Sequence, residues 1–128
     1  NLMENLVLLL SGIVVGIIVM QTSITAPLIF KTLSEEQASP FLRSIFPRFF
    51  AVIAAISFIA ALIAFQIELD GVPFMMGSSA ILAIIAHRLI PATNRARDDG
   101  NDNLFRFLHT VSVVLTLMIL LLNLSNFF

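Results

Sequence analysis

"NLVLLLSGIVVGIIVMQTSITAPLIF", residues 5–30, contains no charged side chain. An α-helix rises about 1.5 Å per residue, and about 20 mostly apolar residues cross the ~30 Å hydrocarbon core of a bilayer. This stretch is long enough to do so. Working outward, residues 49–67, 71–86 and 107–128 are also free of charge. Two of these reach the same length, and 71–86 makes a tight fit. Of the 128 residues, 59% are hydrophobic and 12% charged, too few to cover a water-soluble domain of this size with polar surface. The expected fold is all-α: one four-helix integral membrane bundle over residues 1–128. Its helices fall at about 4–33, 48–67, 73–90 and 104–126, with no separate soluble domain.

The composition also excludes. A net charge of −1 gives no basis for nucleic-acid binding, and the absence of cysteine removes disulfides, thiolate metal sites and cysteine nucleophiles. There is no Trp and no Tyr, so the usual interfacial belt of polar-tipped aromatics is missing. The first apolar segment is too long for a signal peptide and lacks a basic leading region, so it reads as a helix.

Along that helix, Gly12 and Gly16 form a small-xxx-small pair that lets a neighbour approach closely. "QTSITAP" follows at residues 21–27. Gln21 and Thr25 share a helical face, Thr22 flanks it, and Pro27 removes a backbone donor. Ser34 with Gln37 fits a capping box, and Phe41, Leu42, Ile45 and Phe46 make an apolar face against Arg43 and Ser44. That pattern predicts a short amphipathic interfacial helix between helices 1 and 2, ended by Pro47. The second helix is rich in alanine, which suits close packing. "ELDGVP" is a turn with Pro73 at a helix start. Pro91 ends the third helix, and "NRARDDGNDN" reads as a polar loop. On the fourth helix, His109, Ser112, Thr116 and Asn123 form one polar stripe.

Orientation follows from the seven basic residues. Lys31, Arg43 and Arg48 surround the first connection, and Arg88, Arg95, Arg97 and Arg106 the third. The positive-inside rule makes that side cytoplasmic. The expected location is the bacterial inner (cytoplasmic) membrane, multi-pass, with both termini periplasmic.

Residues 86–109, "AHRLIPATNRARDDGNDNLFRFLH", hold both histidines. His87 and His109 fall at similar depth on antiparallel neighbours. Two readings stand side by side. They hydrogen-bond within the bundle, or they ligate a haem iron or, with Asp98 or Asp102, part of a metal site. The charged run pairs with Glu35, Glu36 or lipid headgroups; alternatively Lys31, Arg48, Arg88 and Arg95 bind an anion such as a haem propionate or a phosphate. Gln21, Thr25, Ser112 and Thr116 are the polar stripe of the bundle, acting as interhelical glue or lining a substrate path. Met75 and Met76 read as packing residues. No nucleophile motif, phosphate loop or paired catalytic carboxylates appear.

Several segments together resemble a known family. They are "APLIF", with Ala26, Pro27 and Phe30; "IFPRFF", with Phe46, Pro47, Phe49 and Phe50; "IPATNRARD", with Pro91, Arg97 and Asp98; and "LHTVS", with Leu108, His109 and Ser112. In this order they resemble the transmembrane protein 205-like family of bacterial proteins, a domain of unknown function (4149). The resemblance implies a four-helix integral membrane protein without an agreed activity. It extends distantly to the CopD-like and HemJ-like membrane families, whose members handle copper or bind haem and carry further histidines; helices 1 and 2 here carry none.

Three functions follow as expectations. A small non-enzymatic accessory or assembly subunit of a larger membrane complex comes first, with lipids and other membrane subunits or a second copy as partners. A haem- or metal-binding protein using His87 and His109 comes next, and a small transporter third.

Overall fold

The structure, a computed structural model, describes residues 1–128. It contains four helices long and apolar enough to cross a membrane: α1 (Leu2–Thr32), α2 (Glu35–Gln66), α3 (Val72–Asp98) and α4 (Asp102–Phe127). They form an up-and-down bundle in which α2 packs on α3, α3 on α4, and α1 on both α2 and α4. Both chain ends therefore lie at one end of the bundle, and the basic connections at the other. Only 22 of 128 residues are buried, while Phe58, Phe65, Phe74 and Leu121 face outward. In water so much exposed apolar surface would drive association; in a bilayer it meets acyl chains.

Each connection is short because its cap chemistry is local. Between α1 and α2, the Gln37 amide N–H donates to Ser34 Oγ (3.3 Å), and the Gln37 side chain accepts from the Ser34 amide (3.4 Å), the expected capping box. After α3, Gly100 takes a left-handed φ of 72°. The Asn101 and Gly100 amides then return to the Ala96 and Arg97 carbonyls, a Schellman closure. Asn101 at once caps α4 by accepting from the Leu104 amide (3.2 Å).

Two boundaries differ from expectation for one reason. The amphipathic segment expected as a separate interfacial helix is the N-terminal part of α2, which continues through Pro40 and Pro47. Likewise α3 continues through Pro91 to Asp98, so the expected polar loop shrinks to three residues. A proline removes the N–H that would bond the carbonyl four residues back, that of Arg43 for Pro47 and of His87 for Pro91, and membrane helices tolerate the loss of one such bond when packed against neighbours. The Arg48 guanidinium reinforces the turn at Pro47 by donating to the Ser44 carbonyl (2.7 Å). Beside Pro91, the Thr93 hydroxyl donates to the Leu89 carbonyl (2.9 Å).

The core draws on all four helices: Val14 and Ile18 from α1, Phe49, Phe50 and Ile53 from α2, Ala83 and Ala86 from α3, and Ile119 from α4. Of the paired glycines, Gly12 faces the Phe127 ring, whereas Gly16 has open space around its Cα. Toward the chain ends the bundle is tied by buried polar contacts. Asn123 Nδ2 donates to Ser79 Oγ (3.0 Å), which lies 2.9 Å from Ser57 Oγ. Asn126 Nδ2 donates to Ser11 Oγ (2.9 Å), joining α4 to α1.

Candidate functional site: a side cavity at the basic end

Toward the basic end α1 and α4 no longer hold each other. A cavity of about 820 Å³ lies between them, backed by α2 and the end of α3. Its origin is local. At residues 21–25 α1 widens into a π-turn, in which the Ala26 amide bonds the Gln21 carbonyl five residues back. Pro27 has no N–H to offer the next turn. The Thr22 hydroxyl takes the Ile18 carbonyl (2.8 Å), competing with the backbone there. A π-turn inserts one residue into the helical register and is often found at functional sites.

That insertion decides which side chains face inward. Gln21, Thr22 and Ala26 line the cavity, while Thr25, expected beside Gln21, does not. The expectation assumed an α-helical i, i+4 face. On α4, His109, Ser112 and Thr116 all line the cavity, so this part of the stripe shares one surface, whereas Asn123 belongs to the serine cluster nearer the chain ends. The apolar wall is Leu42, Phe46, Phe49 and Phe50 of α2. Phe49 and Phe50 meet edge to face with centroids 4.9 Å apart. These four positions are spaced i, i+4, i+7 and i+8, a signal lost when Pro47 is read as a helix end.

Gln21 is the unusual member. It is 6% exposed, and its amide nitrogen is buried without a hydrogen-bond partner in the protein. The Thr22 and Thr116 hydroxyls give their hydrogens to the Ile18 and Ser112 carbonyls, each at 2.8 Å. Their oxygens keep lone pairs.

At the basic mouth two ion pairs neutralise the cavity's own cations. The Arg43 guanidinium donates to both carboxylate oxygens of Asp98, one at 3.0 Å, and Arg97 donates to Glu35 at 2.9 Å. Asp98 lies well past the charge-free window of α3. Hydrogen bonds from Arg43 hold its carboxyl below the usual carboxylate range. Arg97 also sits 5.4 Å from the Phe105 ring centroid, and the Phe105 ring stacks on His109 at 5.8 Å. Arg43 and Arg97 are thus the cations of the cavity. Lys31, Arg48, Arg88 and Arg95 are exposed and lie off its lining, and Arg48 is engaged with Ser44. Of the charged run, Arg97 takes the ion-pair arrangement with Glu35.

The two histidines are treated differently. His109 lines the cavity; His87 is half-buried on α3 and is not part of the lining. No three His, Asp or Glu side chains converge as a metal site. A second, shallower groove of about 550 Å³ between α3 and α4 is lined by apolar residues and two serines.

Fold and cavity together define a class: a multi-pass, four-helix membrane protein with a binding-sized opening at its basic end. Residues 9–100 match the family described as "Domain of unknown function (DUF4149)", and the chain belongs to that family. No curated protein and no solved structure matches it.

Proposed function

We propose that this chain is a non-enzymatic binding protein of the bacterial inner membrane, serving as an accessory subunit beside a larger membrane complex. The cavity between α1 and α4 is where it holds what it binds. The observation that carries this reading is the difference between the two ends of the α1–α4 pair. One end is closed by Asn126 on Ser11, and the other stands open on a cavity of ligand size. Phe30 and Leu117 line that cavity and are more than half exposed, which supports lateral access from the hydrocarbon. Orientation with the basic end toward the cytoplasm rests on the seven Lys and Arg residues.

Haem held between His87 and His109 has less support. Only one imidazole reaches the cavity, and that ring is stacked on Phe105. The cavity therefore offers one axial ligand rather than two.

Native mass spectrometry of protein extracted in mild detergent tests the reading. Wild type is expected to retain a bound species in fixed ratio, and Ala26→Phe, which fills the cavity from α1, to lose it while keeping its helical circular dichroism. Bare chain in both preparations overturns it.

A further inference from the structure

The chemistry of the cavity narrows what it takes. The Gln21 amide nitrogen is a donor without a partner in the protein, so the matching ligand atom is an acceptor. The nitrogen is closed off as the side chain stands, and a half-turn of the soft terminal torsion exchanges it with the amide oxygen at the cavity. Around it, Thr22 and Thr116 present acceptor lone pairs, because their hydrogens are committed to backbone carbonyls. One free donor beside two acceptors suits a carbonyl, which accepts from Gln21. It also suits a hydroxyl, which accepts from Gln21 and donates to a threonine.

Charge argues against an anionic lipid. Arg43 and Arg97 are each paired with a carboxylate, so the mouth is neutral and does not call for an anionic headgroup. Gln21 lies eleven residues before Thr32, about 16 Å along the axis at ~1.5 Å per residue, a level it shares with the exposed Arg48 of α2 and Arg88 of α3, at the edge of their charge-free windows. An occupant that satisfies Gln21 carries its polar head at the boundary of the hydrocarbon layer. The wall opposite is built of Phe46, Phe49 and Phe50, which accept a flat ring edge-on or offset. The exposed Phe30 and Leu117 flank the way out for a tail.

We infer that the cavity binds a neutral, membrane-soluble ring compound with carbonyl or hydroxyl groups and an apolar tail, the chemistry of a quinone or quinol. Its oxygen meets the Gln21 amide. This rests on the cavity being a binding site and names the class of its ligand.

The test uses the full chain in nanodiscs with a decyl-tailed benzoquinone, oxidised and reduced, as the probe. The chain has no Trp or Tyr, so the quinone's near-ultraviolet difference spectrum is read over a nearly transparent protein. One probe per chain is expected, with a raised unfolding temperature. Gln21→Leu is expected to weaken binding roughly ten-fold, the scale of one lost hydrogen bond. That variant removes a buried unpaired amide, so without ligand it unfolds at or above the wild-type temperature. Thr116→Val, which keeps shape, is the second variant if Gln21→Leu fails to fold; weaker quinol binding is expected. Unchanged affinity in the variant that folds, or displacement of the probe by phosphatidylethanolamine, overturns the assignment of the head to Gln21 and leaves the cavity a binding site. No binding of either class, with bare chain in the mass spectrum, overturns both.

Discussion

Asn123 of α4 donates to Ser79 of α3 at 3.0 Å, and Ser79 lies 2.9 Å from Ser57 of α2. Three helices are joined by one buried chain of small polar groups, on the side of the bundle away from the cavity. All three residues are fully buried. In hydrocarbon such groups find no water, so the chain fixes helix registry. It leaves the cavity half free to differ.

Asn123→Ala removes the donor to Ser79 and also the bond to the Ile119 carbonyl. The expected cost is about 1–2 kcal/mol, read as a lower unfolding temperature in detergent. Ser57→Ala is expected to cost less, because Ser79 still receives Asn123. Neither substitution is expected to change binding at the basic end, and a parallel loss of binding would show that the two halves are coupled.

The four crossings were legible because charge-free length is a direct consequence of bilayer thickness, and the Ser34–Gln37 cap because it is local. The cavity was only half legible. Gln21, His109, Ser112 and Thr116 stand out as polar groups in apolar helices, but which of them meet depends on the π-turn. Nothing in "QTSIT" distinguishes that turn from an ordinary one. Pro47 and Pro91 misled because their rule comes from helices in water. Inside the bundle each proline costs one helical bond, to the Arg43 or the His87 carbonyl, and the packed helix runs on. Arg43 and Arg97 were visible as charges, but their partners Asp98 and Glu35 lie 55 and 62 residues away in sequence.

The Arg43–Asp98 pair carries a pH prediction. Asp98 has a lowered folded-state pKa, so its contribution to stability is present above the ordinary carboxylate value. It is lost as pH falls through the lowered one. The pair is exposed, so the contribution is small and screened by salt. Asp98→Asn is expected to lower the unfolding temperature slightly at neutral pH and low salt. The difference from wild type should shrink in high salt and vanish in strong acid. A difference that persists in acid would assign the effect to packing instead.

Two turn residues make opposite predictions. Gly100 has φ 72° and nothing within 4 Å of where a Cβ would stand, so Gly100→Ala meets backbone strain without a clash. The expected loss is about 1 kcal/mol. Glu68 already bears such strain, at φ 58° after α2. Glu68→Gly is expected to gain on the order of 0.5 kcal/mol, the relieved strain less the added entropy of the unfolded chain. Thermal unfolding of the two variants side by side checks the signs.

Orientation is testable without background, because the chain has no cysteine. A single cysteine at Asp70 lies in the connection between α2 and α3, and one at Asp99 in the connection between α3 and α4. Both positions are outside helices, and neither side chain makes one of the ion pairs at the mouth. The seven basic residues gather at the end that holds Asp99, so Asp70→Cys is expected to react with a membrane-impermeant maleimide in cells whose inner membrane is intact. Asp99→Cys is expected to react only after that membrane is opened. The reverse pattern would put the mouth of the cavity on the periplasmic side. Labelling of both in intact cells would mean that the chain inserts in two orientations, as paired antiparallel subunits do.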